Sequence, residues 1–148
     1  MIRLCTEADK EPLTDYLKDE PYGRAIAAAI EEFGLDVRFQ TVYLDEALKE
    51  EGECEKEIRG VYLWMYNNLL LYSKENQIEI DFLEQMMGIQ APERVAGRKD
   101  NVDIVSWLLT DYHMETGNTL PEITGENGKT VECLDRREHE GEWAVLTR

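Results

Sequence analysis

The chain has 148 residues, of which 43% are apolar and 32% are charged, a balance typical of a globular protein with a sizeable core. Its formal net charge of -16 disfavours nucleic acid and anionic membrane surfaces as partners, because phosphate contacts need Lys or Arg. No apolar run approaches the roughly 18 to 20 residues of a membrane span, and the N-terminus has no leader pattern. We therefore expect a cytoplasmic protein.

The Cys and His residues do not form a recognisable metal-binding or disulfide pattern. Cys5, Cys54 and Cys133 are odd in number and widely spaced, which predicts reduced thiols. His113 and His139 each lack the second histidine, four positions away, of a helical zinc site. The carboxylates do not follow the spacing of a calcium loop. We expect no metal.

The first 35 residues predict a strand and two helices. Apolar and polar residues alternate over 1–6, which predicts a strand. Thr6 with Asp9 three residues later indicates a capped helix, which carries Leu13, Tyr16 and Leu17 on one face and ends before Pro21. A second helix runs from about residue 22 to Gly34, which is placed to end it.

The middle of the chain predicts an antiparallel meander of three strands. The alternation in 37–43 indicates the first of these strands, and the acidic segment 45–57 is interpreted as a solvated loop or a frayed helix between strands. Ile58–Tyr66 and Leu69–Tyr72 predict the next two strands, joined at Asn67 and Asn68. Either Trp64 or Met65 should face the helix pair formed by residues 8–33.

Two further helices and a strand are predicted next. Asp81 is a plausible N-cap of a helix that Gly88 ends, and Arg94–Arg98 is a short strand. Asp100 or Asn101 should cap the second helix. The apolar face of that helix would comprise Val102, Val105, Leu108 and Leu109.

The last part of the chain is predicted to be a loop and a strand-forming tail. Residues 116–129 are rich in Gly, Asn, Thr and Pro, and Gly125–Thr130 has Ile123 where a phosphate loop needs its first glycine, so it is read as a turn. Thr130–Leu134 and Trp143–Thr147 predict short strands. We expect a domain over 1–115, followed by a tail over 116–148 that pairs with its own sheet edge or a second copy, or links to another domain.

An aromatic stripe and a junction without glycine are the two features that bear on function. Tyr62, Trp64 and Tyr66 recur at strand spacing and, with Tyr72, either line a ligand groove or form one packed face of the sheet. The segment Ser73–Asp81 contains no glycine, although loops that cradle phosphate between a strand and a helix usually need it.

The order of strand, two helices, antiparallel meander, helix, strand and helix resembles the GNAT superfamily of N-acetyltransferases. Four pieces are similar to the N-terminal halves of bacterial proteins built from two tandem GNAT-like domains: Glu32–Gly34, Phe39–Tyr43, Tyr66–Ser73 and Val95–Arg98. The likeness covers about residues 1–112. It implies an α/β, GNAT-like (acyl-CoA N-acyltransferase) fold with a mixed, mostly antiparallel sheet flanked by helices.

In that superfamily acetyl-CoA binds where the fourth strand splays from the fifth, and amides of a [QR]-x-x-G-x-[GA] loop hold its pyrophosphate. The corresponding segment Ser73–Ile80 matches none of this motif, and Glu75 and Glu79 would oppose an anion. None of the superfamily's cofactor-binding residues can therefore be assigned to a position in this sequence. No carboxylate can be singled out as a general base. The resemblance thus implies no cofactor for this chain alone, and acetyl-CoA only if the chain is active.

Three functions follow from these observations. The first is a non-catalytic GNAT-like domain, a structural or substrate-shaping partner of a catalytic GNAT domain in cis or in trans, or of a second copy in a homodimer. The second is an active N-acetyltransferase that moves acetyl from acetyl-CoA to an amine attracted by the acidic surface. The third is a small-ligand binding module built on the aromatic stripe.

Overall fold

The computed structural model describes residues 1–35, 40–48, 56–117 and 143–148. The elements in chain order are β1 (Ile2–Leu4), a 3₁₀ helix (Glu7–Asp9), α1 (Lys10–Leu17), α2 (Pro21–Phe33), β2 (Gln40–Leu48), β3 (Lys56–Met65), β4 (Asn68–Tyr72), α3 (Ile80–Ile89), β5 (Arg94–Arg98), α4 (Lys99–Val105), β6 (His113–Gly117) and β7 (Trp143–Thr147). They form a seven-stranded sheet of order β1-β2-β3-β4-β5-β7-β6. Within it β4 and β5 run parallel and the other neighbours antiparallel. The predicted α/β class with a mixed, mostly antiparallel sheet is confirmed.

Each face of the sheet packs against one pair of helices. Residues of α1 and α2 share a core with one face, and residues of α3 and α4 share a core with the other. Because successive strand residues point to opposite faces, neighbours in β3 belong to different cores. Met65 is fully buried in the core of α1 and α2, whereas Trp64 packs on the opposite core. Met65 is therefore the residue of this pair that faces the first two helices.

The predicted capping box before α1 is present. The carboxylate of Asp9 accepts a hydrogen bond from the backbone N–H of Thr6 at 2.7 Å. The Arg3 guanidinium binds both oxygens of that carboxylate at 2.7 Å and reaches Glu46 on β2 at 2.6 Å. These hydrogen bonds from Arg3 hold the pKa of Asp9 well below its ordinary value. The cap thereby joins β1, the first helical turn and β2.

The second helix ends as the sequence predicts. Gly34 follows α2 with φ of +71°, the left-handed conformation that glycine adopts without steric cost. The side chain of Gln40, at the start of β2, donates to the carbonyl of Gly34 at 2.6 Å and to that of Ala29 at 3.2 Å. A buried side-chain amide thus donates to two carbonyl groups near the end of the helix.

The structure moves the turn of the β3–β4 hairpin by one residue. Met65 pairs with Asn68, so the turn consists of Tyr66 and Asn67 rather than Asn67 and Asn68. Tyr66 adopts φ of +55°, which is unusual for a bulky residue. The acidic segment also differs from its interpretation as a loop or a frayed helix, because Asp45–Leu48 belong to β2 and residues 56 and 57 to β3.

Both later helices have boundaries that differ from the predicted caps. α3 begins at Ile80 and runs through Gly88 to Ile89, since Gly88 does not adopt a left-handed φ. α4 begins at Lys99, so neither Asp100 nor Asn101 is its N-cap. It ends at Val105, and the predicted helical residues Leu108 and Leu109 lie in the turns that follow. Asn101 instead binds the distant Ser73, and Asp100 binds Arg98 two positions before it, as described below.

The strand predicted at Trp143–Thr147 is confirmed, and it lies inside the sheet. This strand, β7, pairs antiparallel with β5 on one side and with β6 on the other. The sequence did not indicate β6, which spans the predicted division between residues 115 and 116. The predicted strand at Thr130–Leu134, the turn at Gly125–Thr130, Cys54, Cys133, His139 and positions 37–39 lie outside the described residues.

The helices of the described ranges do not include one with the length and apolar character needed to cross a membrane.

We predict opposite effects of alanine at two helical glycines. A Cβ at Gly23 in α2 would lie 2.3 Å from the carbonyl oxygen of Leu17 in α1, so Gly23→Ala should lower the free energy of unfolding by about 1–3 kcal/mol. The matched control is Gly88→Ala in α3, where no atom lies within 4 Å, and it should raise that free energy by about 0.5–1 kcal/mol. Urea unfolding followed by circular dichroism measures both. An equal gain from both variants would show that α1 and α2 do not approach each other this closely.

Candidate functional site at the ends of β4 and β5

The carboxyl ends of parallel strands are where ligands bind in open α/β sheets. β4 and β5 supply such ends in the described sheet. Their pairing reaches Leu71 and Gly97, one residue before each strand ends at Tyr72 and Arg98. Beyond this point the backbone groups of the two chains need other partners. The residues that supply them define the candidate site.

The guanidinium of Arg98 occupies the position between the two strand ends. Its Nη2 atom donates to the carbonyl oxygens of Ser73 and Lys74, both at 2.9 Å. Its Nη1 atom binds the carboxylate of Glu20, between α1 and α2, at 2.7 Å. Nε and Nη2 bind Asp100 at 2.6 and 2.8 Å. Arg98 therefore ties β5 to the chain that leaves β4 and to the junction of the first two helices.

The side chain of Asn101 forms a second bridge to the same backbone. It is fully buried, and its Oδ1 atom accepts a hydrogen bond from the N–H of Ser73 at 2.9 Å. Its Nδ2 atom donates to the Ser73 carbonyl at 3.2 Å and to Oδ1 of Asn76 at 2.8 Å. The Ser73 hydroxyl in turn donates to the carbonyl of Arg59 and accepts from the N–H of Gln77, both at 2.7 Å. Every polar group of Ser73 is therefore paired within the protein.

Two tyrosine hydroxyls pair with further backbone amides after β4. The hydroxyl of Tyr16 on α1 accepts from the N–H of Lys74 at 2.9 Å and donates to the carbonyl of Arg59 at 3.2 Å. The hydroxyl of Tyr62 on β3 accepts from the N–H of Glu79 at 2.9 Å. These contacts fix the segment between β4 and α3 from both faces of the sheet.

A third tyrosine connects this segment to Glu20. The hydroxyl of Tyr72 donates a short hydrogen bond to the Glu20 carboxylate, which Arg98 also binds. Burial raises the pKa of the Tyr72 hydroxyl, and the bond to Glu20 raises it further. Burial likewise raises the pKa of Tyr16 and of Tyr62, although the amide bonds that they accept act in the opposite direction. All three hydroxyls thus act as neutral, structural hydrogen-bonding groups at neutral pH.

The backbone amides after β4 are largely used by the protein itself. Besides the bonds already described, the N–H of Asn76 donates to the carbonyl of Ser73 at 3.2 Å. The amides with a partner inside the protein are those of Ser73, Lys74, Asn76, Gln77 and Glu79. A phosphate group at a strand-to-helix junction is held by amides of this kind. Here those donors already have acceptors.

The charges around the segment also disfavour an anion. Glu75 is exposed, and Asp81 lies in the first turn of α3, where a carboxylate complements the positive end of the helix dipole. The ammonium of Lys74 binds Asp19 at 2.8 Å and lies 5.4 Å from the centre of the Tyr16 ring. Lys74 and Arg98 therefore have carboxylate partners, as does Arg59, which binds Glu79 at 3.2 Å.

The four aromatic residues of the predicted groove lie on both faces of the sheet. Tyr62 and Trp64 belong to the core of α3 and α4, where Tyr62 packs 5.4 Å from the ring of Phe82. Tyr72 and Tyr66 belong to the core of α1 and α2. Tyr62 and Tyr72 are fully buried. The structure does not bring these four side chains together in one groove.

Sequence reasoning missed the residues that build the site. Arg98 stands at the end of a predicted strand, and the rule that ligands bind at the carboxyl ends of parallel strands would have singled it out. Glu20 stands just before Pro21, at the predicted end of the first helix, and Tyr16 is predicted only as part of a helix face. Asn101 is predicted as a helix cap. Asn is favoured at caps because its side chain bonds to the backbone, and the same property lets it bridge distant buried segments, so residue type does not distinguish the two roles.

Metal-binding and nucleophilic groups do not stand out in the described part of the chain. No group of three or more His, Cys, Asp or Glu side chains there is arranged to hold a metal ion. Cys5 is free and half-buried, and burial raises the pKa of its thiol to about 11, so it is protonated at neutral pH. His113 is exposed on β6, 3.7 Å from the carboxylate of Glu115.

Comparisons of the chain with protein-family models, with curated proteins and with solved structures find no match. Function is therefore inferred from the residues around the ends of β4 and β5 and from the order of the elements.

We predict that the buried tyrosines couple stability to alkaline pH. The raised pKa values of Tyr16, Tyr62 and Tyr72 mean that the folded chain keeps protons that the unfolded chain loses near its ordinary pKa of about 10. Their contribution to stability is complete below pH 10 and is lost as the pH rises above it. Part of the tyrosinate absorbance should appear only together with the loss of circular dichroism. Full ionisation near pH 10 in a chain that keeps its native dichroism would contradict this prediction.

Proposed function

We propose that this chain has the GNAT fold and serves as a non-catalytic GNAT-like domain, a structural or substrate-shaping partner of a catalytic GNAT domain. The order of its elements supports the fold assignment. β1 is followed by α1 and α2, then by the antiparallel strands β2, β3 and β4, and then by α3, β5 and α4. This is the order on which the resemblance to the superfamily rests.

One observation supports the absence of cofactor binding: five amides of the segment 73–79, those of Ser73, Lys74, Asn76, Gln77 and Glu79, donate to groups of the protein. In the superfamily, amides at this place hold the pyrophosphate of acetyl-CoA. A pyrophosphate would have to displace such bonds, and each buried acceptor left without a donor costs about 1–3 kcal/mol. Micromolar binding amounts to about 8 kcal/mol in total, so losing several of these bonds would cancel much of it.

Closure of the gap between β4 and β5 supports the same conclusion. The superfamily binds acetyl-CoA where these two strands separate. Here Arg98 and Asn101 bridge the separation by binding the backbone of Ser73 and Lys74. Arg98 is further held by carboxylates of Glu20 and Asp100, so a ligand that displaced it would break a paired cation as well.

The remaining properties suit a partner domain. Both faces of the sheet have packed cores, so the chain provides a stable scaffold without a cofactor. Its net charge of -16 would raise the local concentration of a cationic amine next to a catalytic domain. The aromatic residues of the predicted groove do not favour the small-ligand module, because Tyr62 and Tyr72 are buried on opposite faces.

The test is titration calorimetry of the full chain with acetyl-CoA, with a catalytically competent GNAT acetyltransferase as the positive control. We expect no binding heat for this chain, corresponding to a Kd weaker than about 1 mM. A micromolar Kd would contradict the proposal and favour the active N-acetyltransferase, since the pyrophosphate would then have another cradle.

A further inference from the structure

The surface formed by α3, the end of α4 and the segments next to them is rich in carboxylates. Residues 75–93 contain five carboxylates and no Lys or Arg, and residues 103–112 contain two carboxylates and no Lys or Arg. Two of the seven have cationic partners, since Glu79 binds Arg59 at 3.2 Å and Asp103 binds Lys99 at 2.9 Å. The exposed carboxylates are those of Glu75, Asp81, Glu84, Glu93 and Asp111. We call residues 75–93 and 103–112 the α3–α4 surface.

Two of the largest exposed apolar side chains of the described residues lie on this surface. Ile89, at the end of α3, is 84% exposed, and Trp107, after α4, is 71% exposed. Met86 and Met87, which precede Ile89 on α3, are half-buried. α3 itself buries Leu83 completely but leaves the rest of its apolar residues at least partly accessible.

A hydrogen bond brings the exposed apolar residues to the same end of the helical layer. The hydroxyl of Tyr112 donates to the carbonyl of Pro92, which joins the segment after α4 to the segment after α3. Ile89 precedes Pro92 by three positions, and Trp107 precedes Tyr112 by five. Met87 and Leu108, which neighbour the two exposed residues, pack against the same core. The two exposed side chains therefore lie toward the same end of the layer formed by α3 and α4.

Exposed apolar side chains together with exposed carboxylates favour a partner that is both apolar and basic. An exposed Trp is a strong anchor for a protein partner, because a large apolar area is buried when the partner covers it. Methionine side chains adapt to different apolar partners. The exposed carboxylates of the same segments repel nucleic acid and anionic lipid and attract cations. An amphipathic helix lays its apolar face on such a surface and places its cationic face toward the carboxylates.

We propose that the α3–α4 surface is a docking site for a basic, amphipathic helix of a partner protein. Ile89 and Trp107 are the apolar anchors, and the exposed carboxylates steer the basic helix and fix its orientation. The two anchors and the carboxylates of Glu84, Glu93 and Asp111 lie outside the segment after β4, so this site goes beyond the proposed loss of cofactor binding.

The direct test is titration calorimetry of the full chain with a synthetic helical peptide of about 14 residues, built from Lys and Leu so that the leucines share one face. A peptide of the same composition with its leucines spread around the helix is the control. We expect micromolar binding of the amphipathic peptide, at least about tenfold tighter than binding of the control peptide. Equal affinity for the two peptides would overturn the proposal, because it would reveal attraction by charge alone.

Matched variants locate the site. Trp107→Ser and Ile89→Ser change exposed side chains and should each weaken binding about tenfold. Leu4 is an exposed leucine on the edge strand β1, and Leu4→Ser should leave the affinity unchanged. Equal losses from Leu4→Ser and Trp107→Ser, or no loss from Trp107→Ser, would overturn the proposal.

Two double variants test the contribution of the exposed carboxylates to binding. Glu84→Gln with Asp111→Asn should weaken binding most at low salt, whereas Glu11→Gln with Asp15→Asn on α1 should have little effect. If a variant fails to fold, shift mapping of the unmodified chain by NMR decides the matter. Peptide-induced shifts outside the α3–α4 surface would overturn the proposal, as would self-association of the chain that Trp107→Ser abolishes, since a second copy would then be the occupant.

Discussion

The hydrogen bonds from Asn101 and Arg98 to the backbone of Ser73 are the interactions on which the rest of the site depends. Pairing of β4 with β5 stops at Leu71, and the backbone groups beyond it need partners. Side chains from the end of β5 and from α4 supply them, so the chain leaves β4 in one fixed direction toward α3. A buried, fully paired network of this kind is costly to disturb, because each lost partner leaves an unsatisfied group. Under the function proposed above, the protein's own side chains occupy the place where the superfamily holds its cofactor.

The scarcity of cations explains where the acidic surface lies. The chain has 16 Lys and Arg residues for 32 Asp and Glu residues. Three arginines each bind carboxylates from two different segments: Arg3 with Asp9 and Glu46, Arg59 with Asp45 and Glu79, and Arg98 with Glu20 and Asp100. These cations connect strands to the segments before and after the helices. Much of the exposed outer side of α3 and α4 keeps its negative charge and, with it, a preference for basic partners.

Local periodicity and capping signals predict much of the fold but little of the site. The capping box of Thr6 and Asp9 and the end of α2 at Gly34 depend on neighbouring residues, and both are confirmed. Tyr62 and Tyr72 lie on opposite faces because Val61, not Tyr62, pairs with Tyr72 across the hairpin. This register cannot be predicted from the alternation of residues within one strand. Asn101 has the residue type of a helix cap, yet its partner is 28 positions away. The position of β7 between β5 and β6 is likewise a pairing of distant segments.

Amide hydrogen exchange in the segment after β4 tests the central claim most directly. In the chain without ligand, the amides of Ser73, Lys74, Gln77 and Glu79 should exchange at least about a hundredfold more slowly than in an unstructured peptide, because side chains of the protein accept their hydrogen bonds. Asn101→Ala should accelerate exchange at Ser73 far more than at Glu79, whose partner is Tyr62. Rapid exchange of all four amides, with protection appearing only after acetyl-CoA is added, would contradict the account.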